Sequence, residues 1–96
     1  MDKQKKYDYL IKGMMIAFTK DKSSKLFNQI VGLKFKTLRL KKNITVEAVV
    51  DDNKTYFKSV YDLYKFEKGI KSDGSKLCAL QSYFKYDVKD LFDRLN

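Results

Sequence analysis

Histidine and proline are both missing from this 96-residue chain, and cysteine occurs once. Without histidine there is no Ser–His or Cys–His nucleophile pair and no imidazole ligand for a metal. Cys78 has no partner for an internal disulfide and reads as a small buried hydrophobe on an apolar helix, so nothing points to an oxidising compartment. Long apolar runs are missing as well. Lys3, Lys5 and Lys6 precede an apolar stretch in the manner of a secretory leader. But Lys12 interrupts that stretch, only Gly13 to Phe18 is unbroken, and no small-residue cleavage site follows. Nothing approaches the roughly 20 apolar residues of a membrane span. Glu47, Glu67 and the aspartates form no catalytic motif, and the neighbours Asp51 and Asp52 lack the further ligands a metal requires. The expectation is a soluble cytoplasmic protein that is not an enzyme, uses no cofactor or metal, and does not enter a membrane.

What the chain has in excess is positive charge. Lys and Arg number 21 against 12 Asp and Glu, a net charge of +9. So large an excess on one small domain points to a polyanionic partner or an anionic surface, with a merely solubilising charge as the alternative. The excess is uneven. Residues 1–30 carry 7 Lys and 3 Asp, residues 31–69 carry 9 basic and 5 acidic groups, and residues 70–96 carry only 5 and 4. The densest block is Lys34, Lys36, Arg39, Lys41 and Lys42, either a phosphate-contacting surface or a solvated helix face.

The apolar spacing is helical nearly throughout, and the absence of proline agrees with it. Tyr7, Leu10, Ile11, Met14, Met15 and Phe18 recur at threes and fours and predict an amphipathic N-terminal helix. The polar stretch Lys20–Ser24 ends it. A second helix is expected from about Leu26 to Lys42, with Asn43 tolerating the left-handed conformation at its end. Thr45 reads as the N-cap of a short helix bearing Val46, Val49 and Val50, and Asp51, Asp52 and Asn53 read as a turn. Ser59 and Asp62 have the spacing of a capping box, opening a helix with Leu63 and Phe66 inward and closing near Gly69. Ser72 to Ser75 form the next loop. Leu77, Leu80, Tyr83 and Phe84 mark another helix, and Val88, Leu91, Phe92 and Leu95 the last.

Two short helices joined by a turn, in a helical bundle with a basic block, outline a helix-turn-helix. Residues from about Ile30 to Phe92 resemble the XRE family of lambda-repressor-like helix-turn-helix domains. The resemblance rests on four pieces in order: Gly32-Leu33-Lys34-Phe35-Lys36-Thr37-Leu38-Arg39 for the first helix, Ile44-Thr45-Val46-Glu47 for the start of the second, Leu63-Tyr64-Lys65-Phe66-Glu67-Lys68-Gly69 for the end of the recognition helix, and Val88-Lys89-Asp90-Leu91-Phe92 for the last helix. It implies an all-α, lambda-repressor-like five-helix DNA-binding bundle over residues 30–96, with residues 1–29 as an N-terminal helical extension. The segment between Ile44 and Glu67 is a few residues longer than usual for the family, with the extra length between Asp51 and Lys58.

The same resemblance implies roles. Arg39 and Glu67 stand where the family often has an ion pair. Thr45 stands where the second helix meets a phosphate. Val60, Tyr61, Tyr64 and Lys65 stand where base edges are read in the major groove, and Lys54, Lys58, Lys68 and Lys71 flank them as phosphate contacts. The implied function is a transcriptional regulator that binds double-stranded DNA as a homodimer on paired half-sites. Leu10, Ile11, Met14, Met15 and Phe18 are candidates for the dimer contact, or for packing across the chain's own core. Only Lys65 among the proposed readers is of the usual bidentate or cationic kind, whereas tyrosines are common at protein interfaces. A protein-interaction or antitoxin-like module on the same fold, with weak or no sequence-specific DNA binding, is therefore the second expectation.

Overall fold

The structure, a computed structural model, describes residues 3–70 and 73–93. Lys71 and Ser72 lie outside the described residues, as does Leu95. The described residues form α-helices and their connections, with no strand among them. The helices are α1 (Lys3–Lys20), α2 (Ser24–Lys41), α3 (Val46–Asp52), α4 (Val60–Glu67), α5 (Gly74–Phe84) and α6 (Val88–Asp93).

The helix ends follow local chemistry. Ser23, Thr45, Ser59 and Asp73 are the N-caps of α2 to α5, and each side chain accepts a hydrogen bond from the backbone N–H three residues on. Ser23 makes α2 begin at Ser24, earlier than the apolar spacing implies. The expected boundary at residue 29 thus falls inside a continuous helix, and the break between α1 and the rest is the short segment 21–23. At the other end of α2, Asn43 adopts φ 56°. The Asn43 and Ile44 N–H groups then donate to Leu40 and Arg39 carbonyls that would otherwise be unpaired. Gly69 does the same for α4 at φ 74°, with Gly69 and Ile70 donating to Phe66 and Lys65.

Asp51 and Asp52 are the last residues of α3, not part of a turn. The helix continues because Asn53 caps it, its Nδ2 donating to the Val49 carbonyl at 2.8 Å. The longer connection from α3 to α4 is not loose either. Phe57 is 1% exposed, and its ring meets Phe66 edge-on at 6.1 Å, which anchors the segment in the core.

Two clusters hold the bundle together. The larger joins α2 to α5 through Val31, Phe35, Val46, Val49, Val50, Phe57, Leu63, Phe66, Leu80 and Phe84. The smaller joins α1, α2 and α6 through Ile11, Ile30 and Leu91, bordered by Met14, Met15, Phe18 and Leu33. Phe18 also meets Phe92 at 5.3 Å, and Phe92 stacks on Phe27 at 4.7 Å. The radius of gyration of 12.9 Å is close to the value of about 12.5 Å expected for one domain of this length, so α1 is folded onto the body and is not a projecting arm.

Candidate nucleic-acid interface

Helix α4 is fixed by its inner face. Leu63 and Phe66 are each 1% exposed, and Glu67 is buried beside them. The Glu67 carboxylate accepts Arg39 Nε–H at 2.8 Å on one oxygen and an Arg39 terminal N–H at 3.1 Å on the other. Arg39 is buried too and reaches toward the Ile44 carbonyl at 3.4 Å. One guanidinium therefore ties the end of α2, the end of α4 and the α2–α3 connection just before the Thr45 cap, with the carboxylate held in the two-point geometry that planar Arg and carboxylate groups favour. The backbones also come close. A Cβ at Gly32 would collide with the Phe66 and Glu67 carbonyl oxygens, and one at Gly69 would lie 2.6 Å from the Gln29 backbone. Only glycine allows α2 and α4 to meet this tightly at both points.

The N-terminus of α4 is set by Ser59 and Asp62. Ser59 Oγ accepts from Asp62 N–H at 3.3 Å, and Asp62 Oδ2 accepts from Lys58 N–H at 2.9 Å. The carboxylate thus closes on the N–H one residue before the cap, not on Ser59 itself, and its negative charge is spent on backbone beside the exposed Lys58.

With the inner face committed, the outer face of α4 projects Tyr61, Tyr64, Lys65 and Lys68. Tyr61 is 66% exposed and Tyr64 43%. Lys65 Nζ lies 4.5 Å from the centre of the Tyr61 ring, one turn earlier, so the ammonium and the ring form one unit on this face. Val60 belongs elsewhere. It is half-buried against the larger cluster, because the first turn of α4 needs an apolar contact with the core, and the structure does not bring it onto the Tyr61–Lys65 face.

The surrounding cations divide into free and engaged groups. Lys54 and Lys58 are exposed on the α3–α4 connection, and Lys68 is exposed at the end of α4. The basic block on α2 is not one continuous surface. Lys34 sits over the Tyr86 ring at 5.2 Å, Lys36 sits over Tyr7 at 4.5 Å, and Arg39 is buried, so only Lys41 and Lys42 of that block are exposed. Thr45 Oγ1 is occupied as a cap by the Ala48 N–H at 3.1 Å, and Glu47 stands exposed in the same first turn. That carboxylate makes the start of α3 a poorer seat for a phosphate than the residues alone imply.

Of the five candidate dimer residues, Ile11 is 6% exposed and packed in the smaller cluster. Met14, Met15 and Phe18 border the same cluster, leaving Leu10, at 47%, as the exposed member. The large apolar side chains exposed on α1 are Tyr9, Leu10 and Ile16. Among the described residues, no three His, Cys, Asp or Glu side chains are placed to hold a metal ion, and no helix is long and apolar enough to cross a membrane.

Cys78, expected to be buried, is exposed on α5, whose inner face is taken by Leu80 and Phe84. Sequence reading missed Phe57 and the contacts at Gly32. A lone phenylalanine in a polar stretch and a glycine in mid-helix are the local signals, but neither says what it packs against. No protein-family model, no curated protein and no solved structure matches this chain.

Proposed function

We propose that the protein is a DNA-binding regulator in which α3 and α4 act as a helix-turn-helix of the lambda-repressor-like kind, with α4 entering the major groove. The observation that carries this reading is the division of α4: an inner face locked by Leu63, Phe66 and the Arg39–Glu67 pair, and an outer face of Tyr61, Tyr64, Lys65 and Lys68 free to meet a partner. A helix of about 10–12 Å diameter fits a groove about 12 Å wide, and the 8 residues of α4 span about 12 Å. Lys54, Lys58 and Lys68 grip the backbone on either side, and the net charge of +9 supplies the long-range attraction. Thr45 and Val60 are left out of the interface, for the reasons of capping and packing given above. Binding to paired half-sites asks for a second copy. On α1 the side chains free for such a contact are Tyr9, Leu10 and Ile16, since the inner face is spent within the chain.

The test is duplex binding across a salt series, with mixed and genomic fragments, for the parent and Lys65→Ala. The expected result is binding that weakens steeply with salt, and a variant that loses both affinity and sequence preference. No binding at about 50 mM salt, where counterion release is strongly favourable, would overturn the proposal. It would favour the protein-interaction reading, which the exposed Tyr56, Tyr61 and Tyr64 also suit.

A further inference from the structure

Beside the outer face of α4 runs a groove of about 360 Å³ between α1, α2 and α4. That volume is at the lower end of the range for small-molecule sites. Gln29, Leu33 and Lys36 line it from α2 at helical spacing, Tyr64 and Lys68 from α4, and Met14 from α1. Met14 and Leu33 give the groove an apolar wall. Three ionisable groups of formal charge also line it, and they are not equivalent. Glu67 has both carboxylate oxygens engaged by Arg39, so that pair adds no net charge. Lys36 and Lys68 remain, one on each flanking helix. The Lys36 ammonium is held 4.5 Å from the Tyr7 ring, toward α1, while Lys68 is exposed on α4.

We infer that this groove binds a small amphipathic anion, a carboxylate on a short acyl or aryl group, and that its occupation competes with DNA. The hydrocarbon part lies on Met14 and Leu33, and the carboxylate lies between the Lys36 and Lys68 ammoniums. A DNA phosphate has no hydrocarbon to cover the apolar wall, and a neutral lipid-like molecule supplies no counter-charge to the exposed Lys68 or to Lys36, whose contact at Tyr7 is an uncharged ring. The coupling to DNA rests on the proposed function. Tyr64 and Lys68 belong both to the groove and to the outer face of α4, so a molecule held there occupies side chains the duplex needs.

The experiment separates the two parts. Octanoate, octanol and octylamine are titrated into the labelled full chain at fixed ionic strength and followed by backbone and methyl NMR. The expected result is saturable octanoate binding with shifts at Met14, Leu33 and Tyr64, weaker octanol binding, and none for octylamine. Lys36→Met and Lys68→Met keep the side-chain stems and remove the charges. Each should weaken octanoate about three- to tenfold and leave octanol unchanged. Equal binding of octanoate and octanol, or shifts away from the groove, overturns the anion site. The same titration against a bound duplex tests the coupling: octanoate should release the duplex, octanol much less. Octanoate that binds without changing duplex affinity overturns the competition but not the site. If no duplex binds at all, the DNA reading fails while the NMR result on the groove stands by itself.

Discussion

Arg39 and Glu67 illustrate how a single pair can fix one helix against another. Both are buried, and every buried side-chain nitrogen or oxygen among the described residues has a partner. Removing one member leaves an uncompensated charge that is largely withdrawn from water. Glu67→Ala or Arg39→Ala is expected to lower stability by about 3–5 kcal/mol, whereas the double replacement Arg39→Met with Glu67→Leu should restore much of it, as read from urea unfolding. A single replacement thus removes a large share of the roughly 5–15 kcal/mol typical of a domain. A second pair works at the surface. Tyr83 donates its hydroxyl hydrogen to Asp52 Oδ2 at 2.7 Å, tying α5 to α3. That hydrogen bond, with some burial and the nearby carboxylate charge, holds the phenol above the ordinary tyrosine value. The folded-state pKa is raised, so the contribution to stability is complete below the unfolded tyrosine pKa and disappears as pH rises through the folded value. Asp52→Asn should bring the Tyr83 titration back down, followed by NMR of the ring carbon. Tyr83→Phe should cost about 0.5–1 kcal/mol at neutral pH, because the bond is solvent-screened. The aromatic residues divide by the same logic of polarity. All of the phenylalanines are buried or half-buried, while Tyr9, Tyr56, Tyr61 and Tyr64 place their ring and hydroxyl in solvent.

Among the elements, α1 is the one whose sequence reading leaves two outcomes open. Its apolar stripe is as suited to a second copy as to the chain's own core, and periodicity cannot choose between them. The choice is made by α6 and α2, which bring Leu91 and Ile30 to meet Ile11. Ile11→Ala is therefore expected to destabilise the monomeric fold by about 2–5 kcal/mol. Leu10→Ala, on the exposed side, should stay within about 0.5 kcal/mol. Thermal unfolding at several protein concentrations checks both, since an effect carried by a dimer would depend on concentration. The caps were more legible. Thr45, Ser59 and Asn43 announce helix ends because their reach is local and their chemistry is complete within a turn. Ser23 was obscured by its place in a polar run, and Asp51 and Asp52 resemble a turn until Asn53 is seen closing the helix from below. Lys85 is a different case. It occupies the left-handed region at φ 52°, closing α5 without glycine or asparagine, and nothing in its identity signals that.

At the scale of the whole molecule, charge and shape have to be read together. A net charge of +9 attracts a polyanion from any direction, but the structure removes Arg39 from the surface and sets Lys34 and Lys36 against aromatic rings. The freely exposed cations nearest α4 are those on the α3–α4 connection and at the end of α4. If each neutralises one phosphate, Lys54→Ala, Lys58→Ala and Lys68→Ala should each reduce the log–log salt slope of duplex binding by about 0.9, with little change in sequence preference. A slope unchanged by all three would place the duplex elsewhere on the molecule. The sequence by itself determined the absence of imidazole chemistry, the charge excess, the helical periodicity and about half of the caps, because each is a property of composition or of residues within a turn of one another. Which cations remain available, which face of α1 is free, and how closely Gly32 and Gly69 let α2 approach α4 were decided only by the tertiary structure. Those outcomes depend on residues distant in the chain, such as Arg39 with Glu67 or Ile11 with Leu91, and only packing brings them together.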